Sequence, residues 1–270
     1  MGTGVLDRHH VTRMGQGDTL LVLAHGFGCD QRMWRYVAAD LAQHYRLALF
    51  DYVGCGRSDA SAWRPDRYAS LDDHARDLLE ILESLGEPQV VFVGHSVSSS
   101  IGLLAAIDQP ERFARLIMLA PNPCFINHPP DYIGGFDRAD VLELIDLMDR
   151  NMAGWANFFA PVAMRNEERP ELWSELQQSL CESDPTIARH FARQVFLSDV
   201  REHLPLLQVP SLILQCAEDV VAPLSVGAYL HERLPSSTLQ HMKAIGHCPH
   251  MSHPQETVAL IREDLARYGW

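Results

Sequence analysis

A serine framed by small residues at a strand-to-helix junction, an aspartate at the end of a later strand and a histidine in the loop beyond the next strand can together carry acyl transfer. The segment Gly94-His95-Ser96-Val97-Ser98 directly follows the apolar run QVVFV and directly precedes a helical run. A strand that turns this sharply into a helix lifts its middle residue out of the sheet on a strained backbone, and small residues two places before and after it make the turn sterically possible. The helix N-terminus behind Ser96 favours negative charge there. A hydroxyl is a weak nucleophile until a base takes its proton, and the base needs a carboxylate to orient it. Asp219 ends the run SLILQCAED, and His247 follows a weaker strand candidate in AIGHCPHMSHP. Singly, each has a plainer reading as a serine-rich turn, a helix cap before the run after Pro223, or a loop histidine. Their chain order, Ser, Asp, His, with Asp and His at strand exits, favours catalysis.

Acyl chemistry also needs two N–H donors aimed at the oxygen that becomes negative. The backbone amide of Val97, after the nucleophile, is one candidate. The turn His25-Gly26-Phe27-Gly28 after the run TLLVLA supplies the other, the amide of Phe27, because glycines let the backbone approach closely. Ser98 departs from the G-x-S-x-G pattern, and it adds one Cβ and one hydroxyl where helix and strand are expected to crowd.

The elements that must position these groups are visible as alternation. Strand candidates are Thr19 to His25, Arg46 to Tyr52, Gln89 to His95, Arg115 to Pro121, Ser211 to Asp219 and, more weakly, Ser237 to Ala244. Near-continuous apolar runs suit strands covered on both faces, as in a parallel sheet. Helical stretches lie between them at Trp34 to Gln43, Leu71 to Leu85, Ser98 to Asp108, Pro223 to Leu234 and Pro254 to Arg267. This predicts an α/β fold with an open, mostly parallel, doubly wound sheet. The alternation breaks from about Asn127 to His203, where apolar residues recur at helical spacing, as in Val141, Leu144, Ile145, Met148 and in Leu172, Leu176, Leu180. Pro129-Pro130 and Gly134-Gly135 open this stretch, and Pro205 and Pro210 mark the return. The expectation is a core of residues 1–126 and 204–270 with a four-helix lid, 127–203, inserted in it.

Composition excludes other classes. The 270 residues carry 22 Lys+Arg against 35 Asp+Glu, a formal charge of -13 that repels phosphate backbones and anionic lipid. Nucleic acid and membranes are therefore not expected partners. No run of about 18 apolar residues could span a bilayer. The N-terminus has no signal-peptide core, and Leu6 stands where a Met-Gly myristoylation signal wants Ser or Thr. Six scattered cysteines without a C-x-x-C pair read as reduced thiols, so the expected location is cytoplasmic. His247, His250 and His253 share a three-residue spacing, but Pro249 and Pro254 interrupt any helix that would align them as metal ligands. Gly54-x-Gly56 lacks the third glycine of a dinucleotide loop, and Cys248 is read as a small core filler, not a rival nucleophile. No metal and no cofactor is expected.

HGFG, FDYVGCGRSD, GHSVS, the Asp219 strand exit and GHCPHMSHP together resemble the α/β-hydrolase family along essentially the whole chain. More narrowly, HGFGCDQRMW, PNPC…PPDYIGGF and LQCAED are similar to the lid-bearing RsbQ-type subfamily, which is related to the plant karrikin and strigolactone receptor hydrolases. The resemblance implies Ser96, Asp219 and His247 as the triad, Phe27 and Val97 as the oxyanion hole, and a deep, narrow, apolar pocket under a V-shaped lid. Phe27, Phe125, Phe136, Trp155, Phe159 and Phe196 are the expected pocket residues, with Phe158 a further lid aromatic; Phe27, Trp155 and Phe196 are placed nearest the ligand. Two functions are compatible with this resemblance. One is a slow serine hydrolase of a small hydrophobic ester, lactone or enol ether. The other is a stress-signalling regulator or small-ligand receptor acting with a PAS-domain phosphatase or another partner.

Overall fold

A computed structural model describes residues 4–270, so the Met1-Gly2 start lies outside the described residues. The sheet has seven strands: β1 (Thr12–Met14), β2 (Leu20–Ala24), β3 (Arg46–Phe50), β4 (Val90–His95), β5 (Phe113–Leu119), β6 (Ser211–Gln215) and β7 (Ser237–His241). Their spatial order is β1-β3-β2-β4-β5-β6-β7. Every neighbouring pair is parallel except β1–β3. The six strand candidates form β2 to β7, the weaker one being the half-buried β7. The edge strand β1 has no such signal, because its three residues are all exposed and polar or solvent-facing.

The helices are α1 (Val5–Arg8), α2 (Arg35–Leu41), α3 (Leu71–Leu85), α4 (Val97–Asp108), α5 (Arg138–Arg150), α6 (Met152–Met164), α7 (Pro170–Glu182), α8 (Pro185–Leu197), α9 (Leu224–Arg233), α10 (Pro249–Ser252) and α11 (Pro254–Ala266). Residues of β2, β4 and β6 are buried without exception, as continuous apolar runs require when helices cover both faces. α3 packs on α4, and α2 on α11. The sheet is fastened to α11 by Arg115 on β5, whose guanidinium forks onto both oxygens of the buried Asp264. A charge this deep is tolerable only with such a partner.

Helices α5 to α8 fall between β5 and β6 and add no strand to the sheet. Asn151 caps α6 through the Gly154 N–H at 2.9 Å, and Asp184 caps α8 through the amides of Thr186 and Ile187; prolines open α7 and α8 where the missing N–H costs nothing. Val141, Ile145 and Met148 of α5 and Leu172, Leu176 and Leu180 of α7 are buried, and Leu144 packs against the core from a half-buried position. The insert is stitched down at its base, where the Val200 N–H donates to the Pro123 carbonyl at 2.9 Å.

Candidate active site

Ser96 stands between β4 and α4 with φ 54° and ψ -122°, a conformation that L-residues adopt only under constraint. Its N–H donates to the Leu119 carbonyl of β5 at 2.9 Å. Only glycine fits two places earlier, since a Cβ on Gly94 would lie 2.7 Å from the Ser98 backbone. Helix and strand do crowd at Ser98, as expected, but the crowding falls on its backbone and the side chain is accommodated. Its side chain is wholly buried and hydrogen-bonds the loop after β2 and the residue Tyr52 after β3.

The Ser96 Oγ lies 2.7 Å from His247 Nε2, and His247 Nδ1 lies 2.7 Å from Asp219 Oδ2. The second oxygen of Asp219 accepts the N–H groups of Val221 at 2.8 Å and Ala222 at 3.1 Å, which hold the carboxylate in one orientation. His247 is gripped through its own backbone as well. Its N–H donates to Ala163 of α6, and its carbonyl accepts from His95 Nε2, both at 2.7 Å. A hydroxyl, an imidazole and an anchored carboxylate in this chain can deprotonate the hydroxyl as it attacks a carbonyl. The N–H groups of Phe27 and Val97 have no hydrogen-bond partner among the described residues, Val97 being the first residue of α4.

Ser96 and His247 form part of the wall of a small cavity of about 30 Å³. Phe27, Phe125, Phe159 and Phe196 line it. Trp155 and Phe136 do not: Trp155 is fully buried and stacks on Phe159 with centroids 4.9 Å apart, while Phe136 bridges to Ile126 in the loop before α5. Phe158 points outward and is 56% exposed. Cys29, Leu176, Val195, Val221 and Cys248 also line the cavity and were not anticipated, because small apolar residues on separate elements carry no distinctive signal. Burial pushes the thiols of Cys29 and Cys248 well up, which keeps them protonated and inert.

The three closely spaced histidines do not converge on a metal. His247 spends both ring nitrogens on Ser96 and Asp219, His253 bonds Ser252, and His250 lies buried against Trp34 with neither nitrogen partnered. Among the described residues, Cys124, His128 and Asp199 bring ligand atoms within 4.8 Å of one another, but Arg201 already occupies both Asp199 oxygens.

Several imidazoles are buried as neutral rings. Desolvation lowers the pKa of His250 to about 3 and of His74 to about 4, and it holds His25 and His95 below the usual histidine range. The unfolded chain protonates these groups near pH 6.5 while the native state does not, so their contribution is intact above that pH and is lost as pH falls toward the native values. Each can add a slope of up to about 1.4 kcal/mol per pH unit. The midpoint of urea unfolding is therefore expected to fall steeply between pH 7 and pH 5. A flat midpoint over that range would contradict the neutral-histidine assignment.

With this geometry in view, the alpha/beta hydrolase fold model matches residues 19–254. The chain is 37% identical over 264 residues to a strigolactone esterase of Arabidopsis thaliana, covering 97% of this chain and 98% of that protein. It is 36% identical over 254 residues to a karrikin insensitive 2 receptor of Petunia hybrida, covering 94% and 92%. The solved structure of a hydrolase from Oleispira antarctica superposes with a TM-score of 0.95 at 42% identity, covering 97% of this chain and 96% of that one. Seven strands in a mostly parallel sheet and these matches agree: the chain belongs to the α/β-hydrolase family and is a hydrolase of its esterase type.

Proposed function

We propose that the protein is a serine hydrolase that cleaves a small hydrophobic ester, lactone or enol ether through an acyl-enzyme on Ser96. The observation that carries this reading is the unbroken hydrogen-bond chain from Ser96 through His247 to Asp219 at the wall of an apolar cavity. Ser96 Oγ attacks the carbonyl carbon as its proton passes to His247 Nε2, and the free N–H groups of Phe27 and Val97 receive the resulting oxyanion. His247 then protonates the leaving alcohol or enol. Water, deprotonated by the same imidazole, resolves the ester on Ser96 and regenerates the hydroxyl. Residues 127–203 act as a lid over a core formed by 1–126 and 204–270.

A cavity of about 30 Å³ has room for about two water molecules and not for an ester. A substrate enters only as the aromatic wall yields, so small acyl groups are favoured. Among p-nitrophenyl esters, kcat/KM is expected to be highest for acetate or butyrate and to drop sharply at octanoate. Phe159→Ala removes one wall and is expected to shift the octanoate-to-acetate ratio upward by roughly tenfold or more, the scale on which pockets discriminate chain length. A wild-type preference for octanoate would contradict the small-substrate reading.

The similarity to a karrikin receptor over nearly the whole chain favours a second use of the same pocket, as a cytoplasmic small-ligand sensor. In its RsbQ-like form the lid helices present the docking face for a PAS-domain phosphatase in stress signalling. A sensor of this kind turns over any ester slowly and changes its lid on binding, whereas a metabolic enzyme turns over fast. The steady-state rates from the ester series separate the two.

A further inference from the structure

We propose that Ser98, Tyr52 and His25 form a positioning relay that aims the Phe27 N–H at the oxyanion. The inference rests on the serine-hydrolase reading and names residues that support that chemistry without touching the reacting atoms.

The relay can be followed proton by proton. Ser98 Oγ–H donates to the His25 carbonyl at 2.5 Å. Its single proton is then committed, so the 2.8 Å contact with Tyr52 is a hydrogen bond from the phenol to Ser98 Oγ. The backbone N–H of Tyr52 donates to His25 Nε2 at 3.2 Å. A ring nitrogen that accepts carries no proton, so the His25 proton sits on Nδ1, which donates to the Gly26 carbonyl at 2.8 Å. The Cys29 N–H reaches the same carbonyl at 3.3 Å.

The consequence follows from peptide geometry. The Gly26–Phe27 peptide is planar and trans, so its C=O and N–H point in opposite directions. Two donors on the Gly26 oxygen thereby fix where the Phe27 N–H points. Position 26 accepts only glycine without a shift of its neighbours, because a Cβ there would lie 2.4 Å from His95 Nδ1. Burial holds the Tyr52 phenol protonated and the His25 ring neutral, as the directions of donation require. A hydroxyl at position 98 thus ties the nucleophile elbow to the oxyanion loop, a connection that glycine at the same place could not make.

Removing an oxyanion donor outright costs roughly 10²- to 10³-fold in kcat, and misaiming one costs part of that. For p-nitrophenyl acetate, Ser98→Ala and Ser98→Gly are expected to lower kcat by about 10- to 100-fold with KM within about twofold of wild type. The affinity for butylboronic acid, whose tetrahedral adduct places an oxygen in the hole, is expected to fall by a similar factor. Ser98→Thr, which keeps the hydroxyl, is expected to recover most of both. Tyr52→Phe deletes one oxygen and preserves packing, so it reports on the relay even if a position-98 variant folds poorly. Because the groups act as a unit, Ser98→Ala with Tyr52→Phe is expected to be little worse than Ser98→Ala alone.

Unchanged kcat in these variants, or a lowered kcat with unchanged boronate affinity, overturns the relay while the wild-type acyl-enzyme still upholds Ser96 as nucleophile. Failure of the wild type to acylate overturns both.

Discussion

Ser96→Ala is expected to reduce turnover of p-nitrophenyl acetate by roughly 10⁴- to 10⁶-fold while the protein remains folded. Without Oγ no acyl-enzyme forms, and the remaining rate is what the oxyanion donors and substrate binding supply to water. No other group in the cavity can substitute. Cys29 and Cys248 line it, but burial keeps both thiols protonated. Ser96 also stores backbone strain at φ 54°, on the order of 1–3 kcal/mol for such conformations. Ser96→Gly should therefore be as inactive as the alanine variant yet more resistant to urea, by about 1 kcal/mol. Loss of activity with a gain in stability separates a functional serine from a structural one. Turnover within tenfold of wild type in either variant would place the nucleophile elsewhere.

Asp219→Asn is expected to cost roughly 10⁴-fold in kcat, nearly as much, without removing any reacting atom. The Val221 and Ala222 N–H groups require an acceptor, so the asparagine carbonyl takes the place of Oδ1. Its NH₂ then faces His247 Nδ1, which must accept. The imidazole proton is driven to Nε2, the atom that has to receive the Ser96 proton, and the base is disabled in place. Stability should change little because the backbone bonds survive. A loss of less than tenfold would reduce Asp219 to a turn cap.

What could be read from the residues depended on whether chemistry or packing chose them. The five buried strands β2 to β6 announce themselves because a strand covered on both faces has to be apolar, and Ser96 and Asp219 can be found because each sits where such a strand ends, whereas His247 follows β7, a half-buried and mostly polar strand with a weaker signal. β1 was illegible: three exposed residues, paired antiparallel with β3, have neither length nor hydrophobic period. The pocket was legible only in part. The family resemblance brings Trp155 and Phe159 to the pocket, since α6 is apolar on nearly every face, yet only the packing shows that Phe159 stands in front and Trp155 behind it. Ser98 was readable as a departure but not as a contact, because its partners, His25 and Tyr52, lie 73 and 46 residues away. Likewise the hold of His95 and Ala163 on the backbone of His247 joins elements that no local pattern relates.

The central claim is that Ser96 becomes acylated during turnover. Intact-protein mass spectrometry during hydrolysis of p-nitrophenyl acetate, with peptide mapping and Ser96→Ala in parallel, tests it most directly. The predicted result is one acetyl group per wild-type chain, located on Ser96, appearing with p-nitrophenol release and disappearing as substrate is exhausted, with neither in the variant. Release without an adduct in wild type and variant alike, or an adduct mapped to another residue, would contradict it.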